Sequence, residues 1–483
     1  MEKTIHNYAA EFKRDVLVRV IQTFLSGDFV NNVNRIPIEM RPKHASPVRC
    51  CIYKERAVAT ERCLGVLGFS IEETDESVPL SEYARQALER DKPQEPVLTV
   101  IDIACKGCVP SRYYVTDLCQ GCLERPCTQC PFGAIEFRNG RSYINPEKCK
   151  SCGKCAELCH YHAIVKRVVP CEEACPTKAI AKDENGVAKI DYEKCIACGR
   201  CKNACSFAAI IGKSQIIDVL KSIQNGKKVV AMLAPAIMGQ FPGVSVGQLL
   251  SAVQKAGFSE AIEVAHGADI TTRLEAQELA ERLQNGAPFM TTSCCPAYTS
   301  LVEKHIPELK EFVSHTKTPM HYSAELVKQK DPDAVAVFVG PCSAKRDEGI
   351  RDEFVDYVIT AQELDALLEA KGIHIADCEE KVQEKQPSKQ GRGFPMTGGV
   401  AGAVASLNTC TVCPLTINGL NKENIRLLKQ FAKTRQADGH NLIEVMSCVG
   451  GCVAGPIVVE NPKKAAKEIQ KVMADSVDLK MED

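Results

Sequence analysis

The spacing of cysteine constrains this chain more than any other feature. Of its 483 residues, 27 are cysteine. Cys149-x2-Cys152-x2-Cys155-x3-Cys159 and Cys195-x2-Cys198-x2-Cys201-x3-Cys205 are two full repeats of one four-thiol pattern. A disulfide framework suits short secreted chains rather than one of this length. Zinc is the other common use of paired C-x2-C motifs. Two tandem four-cysteine repeats favour [4Fe–4S] cubanes instead, because thiolate is the ligand such clusters take at this spacing.

In bacterial ferredoxins with this pattern, three nearby cysteines ligate one cubane and the fourth reaches across to the other. That rule assigns Cys149, Cys152, Cys155 and Cys205 to one cluster, and Cys195, Cys198, Cys201 and Cys159 to a second. The proline that usually follows the fourth cysteine is replaced by His160 and Ser206. Eight more cysteines flank the repeats: Cys105-x2-Cys108, Cys119-x2-Cys122-x4-Cys127-x2-Cys130-Pro and Cys171-x3-Cys175-Pro. They suffice for two further cubanes, with Cys119, Cys122, Cys127 and Cys175 on one and Cys105, Cys108, Cys130 and Cys171 on the other. The array therefore carries two to four accessory [4Fe–4S] clusters, zinc at an extra site being the rival. Ligand-bearing loops of this kind draw much of their folding energy from the metal.

Around the array, residues 99–212, lie two segments of different character. Residues 1–98 read as a small helical segment. Asp15–Leu25 has apolar residues at helical spacing, expected to pack onto the rest of the protein rather than on a membrane surface. Cys50, Cys51 and Cys63 are expected as buried thiols, extra ligation being the other reading. The charged, proline-rich stretch 89–96 reads as a linker. From residue 213 strands and helices alternate. Ser214–Ile223 reads as a helix and Lys228–Ala234 as a buried strand. Ala334–Val339 reads as a strand ending at Cys342, Tyr357–Thr360 as a strand before helix Ala361–Ala370, and Leu442–Met446 as a strand ending at Cys448. The expected fold class is an α/β catalytic domain, residues 213–483, preceded by a ferredoxin-like α+β domain. Sites in α/β domains form just past strand ends.

Hydrophobic residues make up 45% and charged residues 25%, the balance of a globular protein. A formal net charge of −1 gives no basic excess for nucleic acid. No apolar run is long enough for a membrane span. The polar start of the chain lacks a signal-peptide core, so a cytoplasmic location is expected.

Three separated motifs carry the functional reading: Thr292-Ser-Cys-Cys-Pro-Ala-Tyr298, Gly340-Pro-Cys-Ser-Ala-Lys345 and Glu444-Val-Met-Ser-Cys-Val-Gly-Gly-Cys452. Cys295, Cys342, Cys448 and Cys452 could supply four thiolates to one cluster, leaving Cys294 as a free thiol beside it. In order and spacing these motifs resemble the signature sequences of [FeFe]-hydrogenases, and the cysteine array resembles that family's accessory cluster domain. The sequence departs from the usual form at Ala297-Tyr298, at Gly340 where Met is usual, at Met320 where Gln is frequent, and after Cys452. It is similar to a divergent subgroup.

The resemblance implies an H-cluster, a [4Fe–4S] cubane joined to a two-iron unit with CO, cyanide and a bridging azadithiolate. Cys295, Cys342, Cys448 and Cys452 match the cubane ligands, Cys452 being the one that bridges. Lys345 matches the lysine that hydrogen-bonds a cyanide. Ala234-Pro235-Ala236 matches the loop at the other cyanide, and Met446 a side chain against the two-iron unit. Cys294 matches the proton-transfer thiol, an ordinary thiol titrating near ~8.5. Glu275, Glu278 and Arg282 fall at i, i+3 and i+7 of one predicted helix, on a single face. With Ser314 they match the family's proton path, whereas spacing alone is equally that of a solvated charged face.

The implied activity is reversible formation of H2 from protons and electrons. A ferredoxin-like partner would deliver electrons, and maturation proteins would insert the two-iron unit. The alternatives are an H2 sensor with slow turnover, and an iron–sulfur assembly or electron-transfer protein without the two-iron unit. Cys378 reads as structural. Cys410-x2-Cys413 stays open between zinc, a cluster and free thiols.

Overall fold

The computed structural model describes residues 8–105, 107–109, 112–383 and 385–480. Its architecture is an α/β domain carrying an iron–sulfur-type cysteine domain and a helical N-terminal segment. Two parallel sheets form the α/β part. One runs Glu260–Glu263, Val229–Leu233, Val335–Gly340, Tyr357–Thr360 across its width; the other runs Met290–Thr291, Leu442–Met446, Pro414–Asn418. The central strands Val229–Leu233, Val335–Gly340 and Leu442–Met446 are buried along their whole length. Continuous apolar runs of this kind belong in sheets covered on both faces. Three short strands, Glu260–Glu263, Met290–Thr291 and Pro414–Asn418, escaped the sequence reading, since two to five residues give too little periodicity.

The cysteine domain is one ferredoxin-like module nested inside another. The inner module begins with strand Arg112–Val115, which pairs antiparallel with Ile164–Arg167, and encloses hairpin Ile135–Arg138/Arg141–Ile144. The outer module repeats the plan. Strand Leu98–Val100 pairs with Ile210–Gly212, and the hairpin is Ile180–Lys182/Ala188–Ile190. Local backbone repeats too. Ser151 and Ala197, each two residues past the first cysteine of a repeat, both have positive φ (53° and 51°). So do His162 and Ala208, each three past the last cysteine (50° and 52°). That conformation is uncommon for non-glycine residues. Here it turns backbone N–H groups onto sulfur, as in Ser151 N to Cys149 Sγ and Ala197 N to Cys195 Sγ, both 3.4 Å.

The N-terminal helix spans Tyr8–Leu25 and buries Val16, Val20, Ile21 and Phe24. It packs on helix Ala361–Ala370, where Arg14 pairs with Asp365 at 2.7 Å. Its apolar stripe is thus spent on the protein. The stretch 89–96 is not a free linker. Arg90 pairs with the buried Asp218 at 2.9 Å, and Asp91 O accepts from Tyr357 Oη at 3.1 Å. Of the three N-terminal cysteines only Cys63 is a buried thiol, pushed up to about 12 by burial. Cys50 is exposed, and Cys51 Sγ caps helix Ile52–Val66 by accepting from Lys54 N. Cys378 is buried as expected. No helix among the described residues is long and apolar enough to cross a membrane.

Candidate active site

The carboxyl ends of the two sheets face one cavity, where strand termini converge in open α/β folds. Strand Val229–Leu233 delivers Ala234, Pro235 and Ala236. Val335–Gly340 delivers Cys342 and Lys345, Met290–Thr291 delivers Cys294 and Cys295, and Leu442–Met446 delivers Met446, Cys448 and Cys452; all of these line the cavity. Met320 and Phe338 contribute apolar wall. Gly340 has a steric reason: a Cβ there would lie 2.5 Å from the Phe338 ring, which takes the space a larger residue would use.

Burial pushes the Cys342 thiol up to about 11, with Cys295 adding repulsion. Burial likewise raises Cys295, Cys448 and Cys452. Four crowded, half-buried thiols around one cavity suit thiolate-ligated iron, which takes its ligands deprotonated. The mostly apolar wall with one cation, Lys345, suits a cofactor bearing few hydrogen-bonding groups. Among the described residues, no group of three or more His, Cys, Asp or Glu is placed to hold a single metal ion. A cubane is a larger body and holds its thiolates further apart.

Lys345 lines the cavity with an anionic partner already in place. Burial lowers its pKa, but Glu348 at 2.7 Å more than offsets this, and Nζ also donates to Thr318 Oγ1 at 3.0 Å. The Cys294 thiol also departs from its ordinary value. Burial, then the charge of Glu275, hold it well above the usual thiol range, so its resting form is S–H.

The residues of the proposed proton path come together. Helix Ala265–Gln284 carries Glu275, Glu278 and Arg282. Glu275 is fully buried and pushed up to about 7 by burial. Its Oε1 accepts from Ser293 N at 3.2 Å and Ser293 Oγ at 3.4 Å, whereas Oε2 is buried with no partner. Glu278 Oε2 accepts from Ser314 Oγ at 2.6 Å and Thr316 Oγ1 at 2.9 Å, and Oε1 pairs with Arg282 at 2.6 Å. Burial alone would raise Glu278; the His315 N–H, the Ser314 hydroxyl and Arg282 outweigh it and hold the carboxyl below its usual range. Arg282 turns inward, donating to Glu311 O and Val313 O at 3.0 and 2.9 Å. Solvent is met instead at a cleft that Ser293, Ser314 and Thr316 line. Ser293 and Thr316 were missed by sequence reasoning. Ser293 sits inside the first motif, where the cysteines drew attention away from it.

On the opposite side the thiols form cages in a pairing that corrects the sequence assignment. Cys119, Cys122 and Cys127 gather with Cys159, and Cys130 gathers with Cys149, Cys152 and Cys155. In the outer module, burial and then mutual repulsion with Cys195 and Cys175 push Cys198 up to about 12, and Cys201 feels the same neighbours. Cys171 and Cys108 feel Cys205 and Cys105. The outer cages are thus Cys175, Cys195, Cys198, Cys201 and Cys105, Cys108, Cys171, Cys205. Each fourth cysteine crosses within its own module, because antiparallel pairing of the module's end strands brings its first and last motifs together. The signal was present in Cys130-Pro131 and Cys175-Pro176, which mark the close of each module's first motif. Cys198 also lines the main cavity, and Ser343 Oγ donates to Ala197 O at 2.6 Å, so that cage abuts the site. Cys410 and Cys413 lie partly or fully exposed on the loop before Pro414–Asn418, away from the cavity lining.

Residues 227–456 match the family model for the iron only hydrogenase large subunit, C-terminal domain. Residues 142–165 match a 4Fe-4S binding domain and 165–216 the LdpA Fe-S cluster-binding domain. Iron hydrogenase 1 of Clostridium pasteurianum is 30% identical over 404 residues, covering 70% of this chain and 69% of that one. The chain belongs to the iron-hydrogenase family. Within this family the cavity is where the matched domain's motifs meet. A solved [FeFe]-hydrogenase from Chlamydomonas reinhardtii is 20% identical and covers 53% of this chain and 88% of that one, with a TM-score of 0.44. A shorter likeness is to the cytosolic Fe-S cluster assembly factor NAR1 of Kluyveromyces lactis, 33% identical over 93 residues, 19% of this chain and 20% of that one.

Proposed function

We propose that the protein is an [FeFe]-hydrogenase that interconverts H2 with protons and electrons. One observation supports the reading: Glu275, bonded to Ser293, and Glu278, bonded to Ser314, lie beside serines that line the surface cleft, on the helix next to the thiol cavity. An electron-transfer or assembly protein needs the cubane cysteines but no such carboxyls. Cys295, Cys342, Cys448 and Cys452 would hold the H-cluster, with Ala234–Ala236, Lys345 and Met446 around its two-iron end. When bound, that group would supply the redox-active iron on which the reaction depends.

The residues of the chain then have separate tasks. Cys294 keeps a proton at Sγ beside the cavity. Glu275, poised near neutrality by burial, takes and returns a proton through its unpartnered Oε2. The Ser314 hydroxyl spans to Glu278, and Arg282 keeps Glu278 in place. Lys345, held by Glu348, contributes fixed positive charge to the wall. Phe338, Met320 and Met446 exclude water, which strengthens each polar contact inside. Electrons would enter at the inner module, where Cys152 is exposed, and reach the cavity through the Cys198 cage. The partner would be a ferredoxin-type protein, and the location cytoplasmic.

Infrared spectroscopy on anaerobically matured protein tests this. Bands of iron-bound CO and cyanide, with H2 turnover, are expected. Their absence after a maturation that succeeds on another hydrogenase would overturn it in favour of an iron–sulfur assembly or electron-transfer protein, the reading that the NAR1 likeness favours. Bands with only trace turnover would point to a sensor.

A further inference from the structure

A second cavity, of about 70 Å³, lies where the N-terminal helices meet both the outer ferredoxin module and the catalytic domain. Lys13, Arg62, Lys202 and Arg346 line it, with Glu363 as its single acidic side chain. These cations come from four helices, Tyr8–Leu25, Ile52–Val66, Arg200–Ala204 and Ala344–Arg351, so no one solvated helix face accounts for them.

Glu363 is already engaged. Arg346 Nη2 donates to it at 2.6 Å and Thr360 N at 2.7 Å, and the Ser214 hydroxyl donates to its other oxygen. Lys13, Arg62 and Lys202 have no ion pair among the described residues. Arg62 is 3% exposed; its Nη2 donates to Ala208 O at 2.6 Å, but its Nε is buried without a partner. A buried Arg is rare unless paired, since an uncompensated charge taken from water is costly, and Lys13 and Lys202 beside it are half-buried. Burial, then the charge of Arg62, pull Lys13 down to about 8, against an opposing pull from Cys205. The space is several water molecules' worth, enough for a phosphate-sized ion. A guanidinium beside two ammonium groups is the chemistry that recognises a tetrahedral oxyanion.

We propose that this cavity binds a small oxyanion of the phosphate class, held by Lys13, Arg62 and Lys202. The inference is independent of the hydrogenase reading, because the site and its measurement involve no H2 chemistry. Either a free ion or the phosphate group of a larger ligand satisfies the same donors.

Calorimetric titration of the anaerobic, cluster-loaded full chain tests it, with inorganic phosphate and adenosine monophosphate as probes and chloride as control at constant ionic strength. Saturable phosphate binding is expected, weakened at least about tenfold by Lys13→Met and restored by Lys13→Arg, with the visible absorption of the clusters unchanged in both variants. Tighter binding of the nucleotide would assign the phosphate group of a larger ligand, and binding of phosphate alone the free ion. Absence of saturable heat with either probe, or equal affinity in Lys13→Met, would overturn the proposal. The cations would then serve only as counter-charge to the neighbouring Cys205 cage, which both Lys13 and Arg62 face.

Discussion

The two approaches to the main cavity are built on different principles. The electron side consists of short strands and ligand loops whose hydrophobic support is thin. In the inner module the buried cluster is only Cys127, Ile144, Cys155 and Ile164, and two of those four are thiols. The proposed proton side is carried by one 20-residue helix, Ala265–Gln284, which buries Ala268, Thr272, Glu275, Ala276 and Leu279. One side is held by what it binds, the other by packing. A wire of clusters has only to keep its cages close, whereas a relay of hydroxyls and carboxylates has to keep hydrogen-bond distances.

The sharpest way to break this comparison is to remove the metal. Chelation under reducing conditions is expected to abolish amide protection across residues 112–167 while helix Ala265–Gln284 stays protected, as read by hydrogen exchange. Joint loss of protection would show that the sides are not separately stabilised. Next in size is the proton side itself. Cys294→Ser or Glu275→Gln should lower H2 turnover by about 10²- to 10⁴-fold with iron content preserved. Unchanged turnover would remove both residues from the route.

Stability against pH separates the two carboxyls of that helix. Glu275 has a folded value of about 7 against an ordinary 4.5, so its ionisation opposes folding. The penalty is absent below pH 4.5, grows up to pH 7 and is constant above. Glu275→Gln should therefore stabilise by about 3 kcal/mol at pH 8 and leave pH 4 unchanged in denaturant melts. Glu278 has the opposite sign. Held below its usual range, it contributes stability at neutral pH that is lost as the pH falls from the ordinary carboxylate value through its lowered folded value. A Glu278→Gln variant that melts like the parent at pH 7 would contradict the network drawn around it. The smallest effect is expected at Ser314→Ala, about tenfold in turnover, since one charge-assisted hydrogen bond is removed while Thr316 still holds Glu278.

Much of this was legible in the sequence, for reasons that differ by element. Tyr357–Thr360 and Ala361–Ala370 lie where the pattern put them, because Thr360 and Glu363 form a capping box that fixes the boundary. The facing of Glu275, Glu278 and Arg282 followed from helical period alone. The cage pairing did not follow, because cysteine spacing says which thiols share a loop and not which loops share a module. That depends on Arg112–Val115 finding Ile164–Arg167, a pairing 49 to 55 residues apart in sequence. Nor could spacing reveal that Arg282 turns inward to two carbonyls.

The nesting has a genetic consequence. Arg112 and Arg167 are partners in one antiparallel pair, so the inner module leaves the chain almost where it entered. A stretch bounded in that way behaves as a cassette. It can be excised in frame, or exchanged for one of another potential, without lengthening any connection in the remainder. The reach of the cysteine array into solution could then be altered while the main cavity stays as it is.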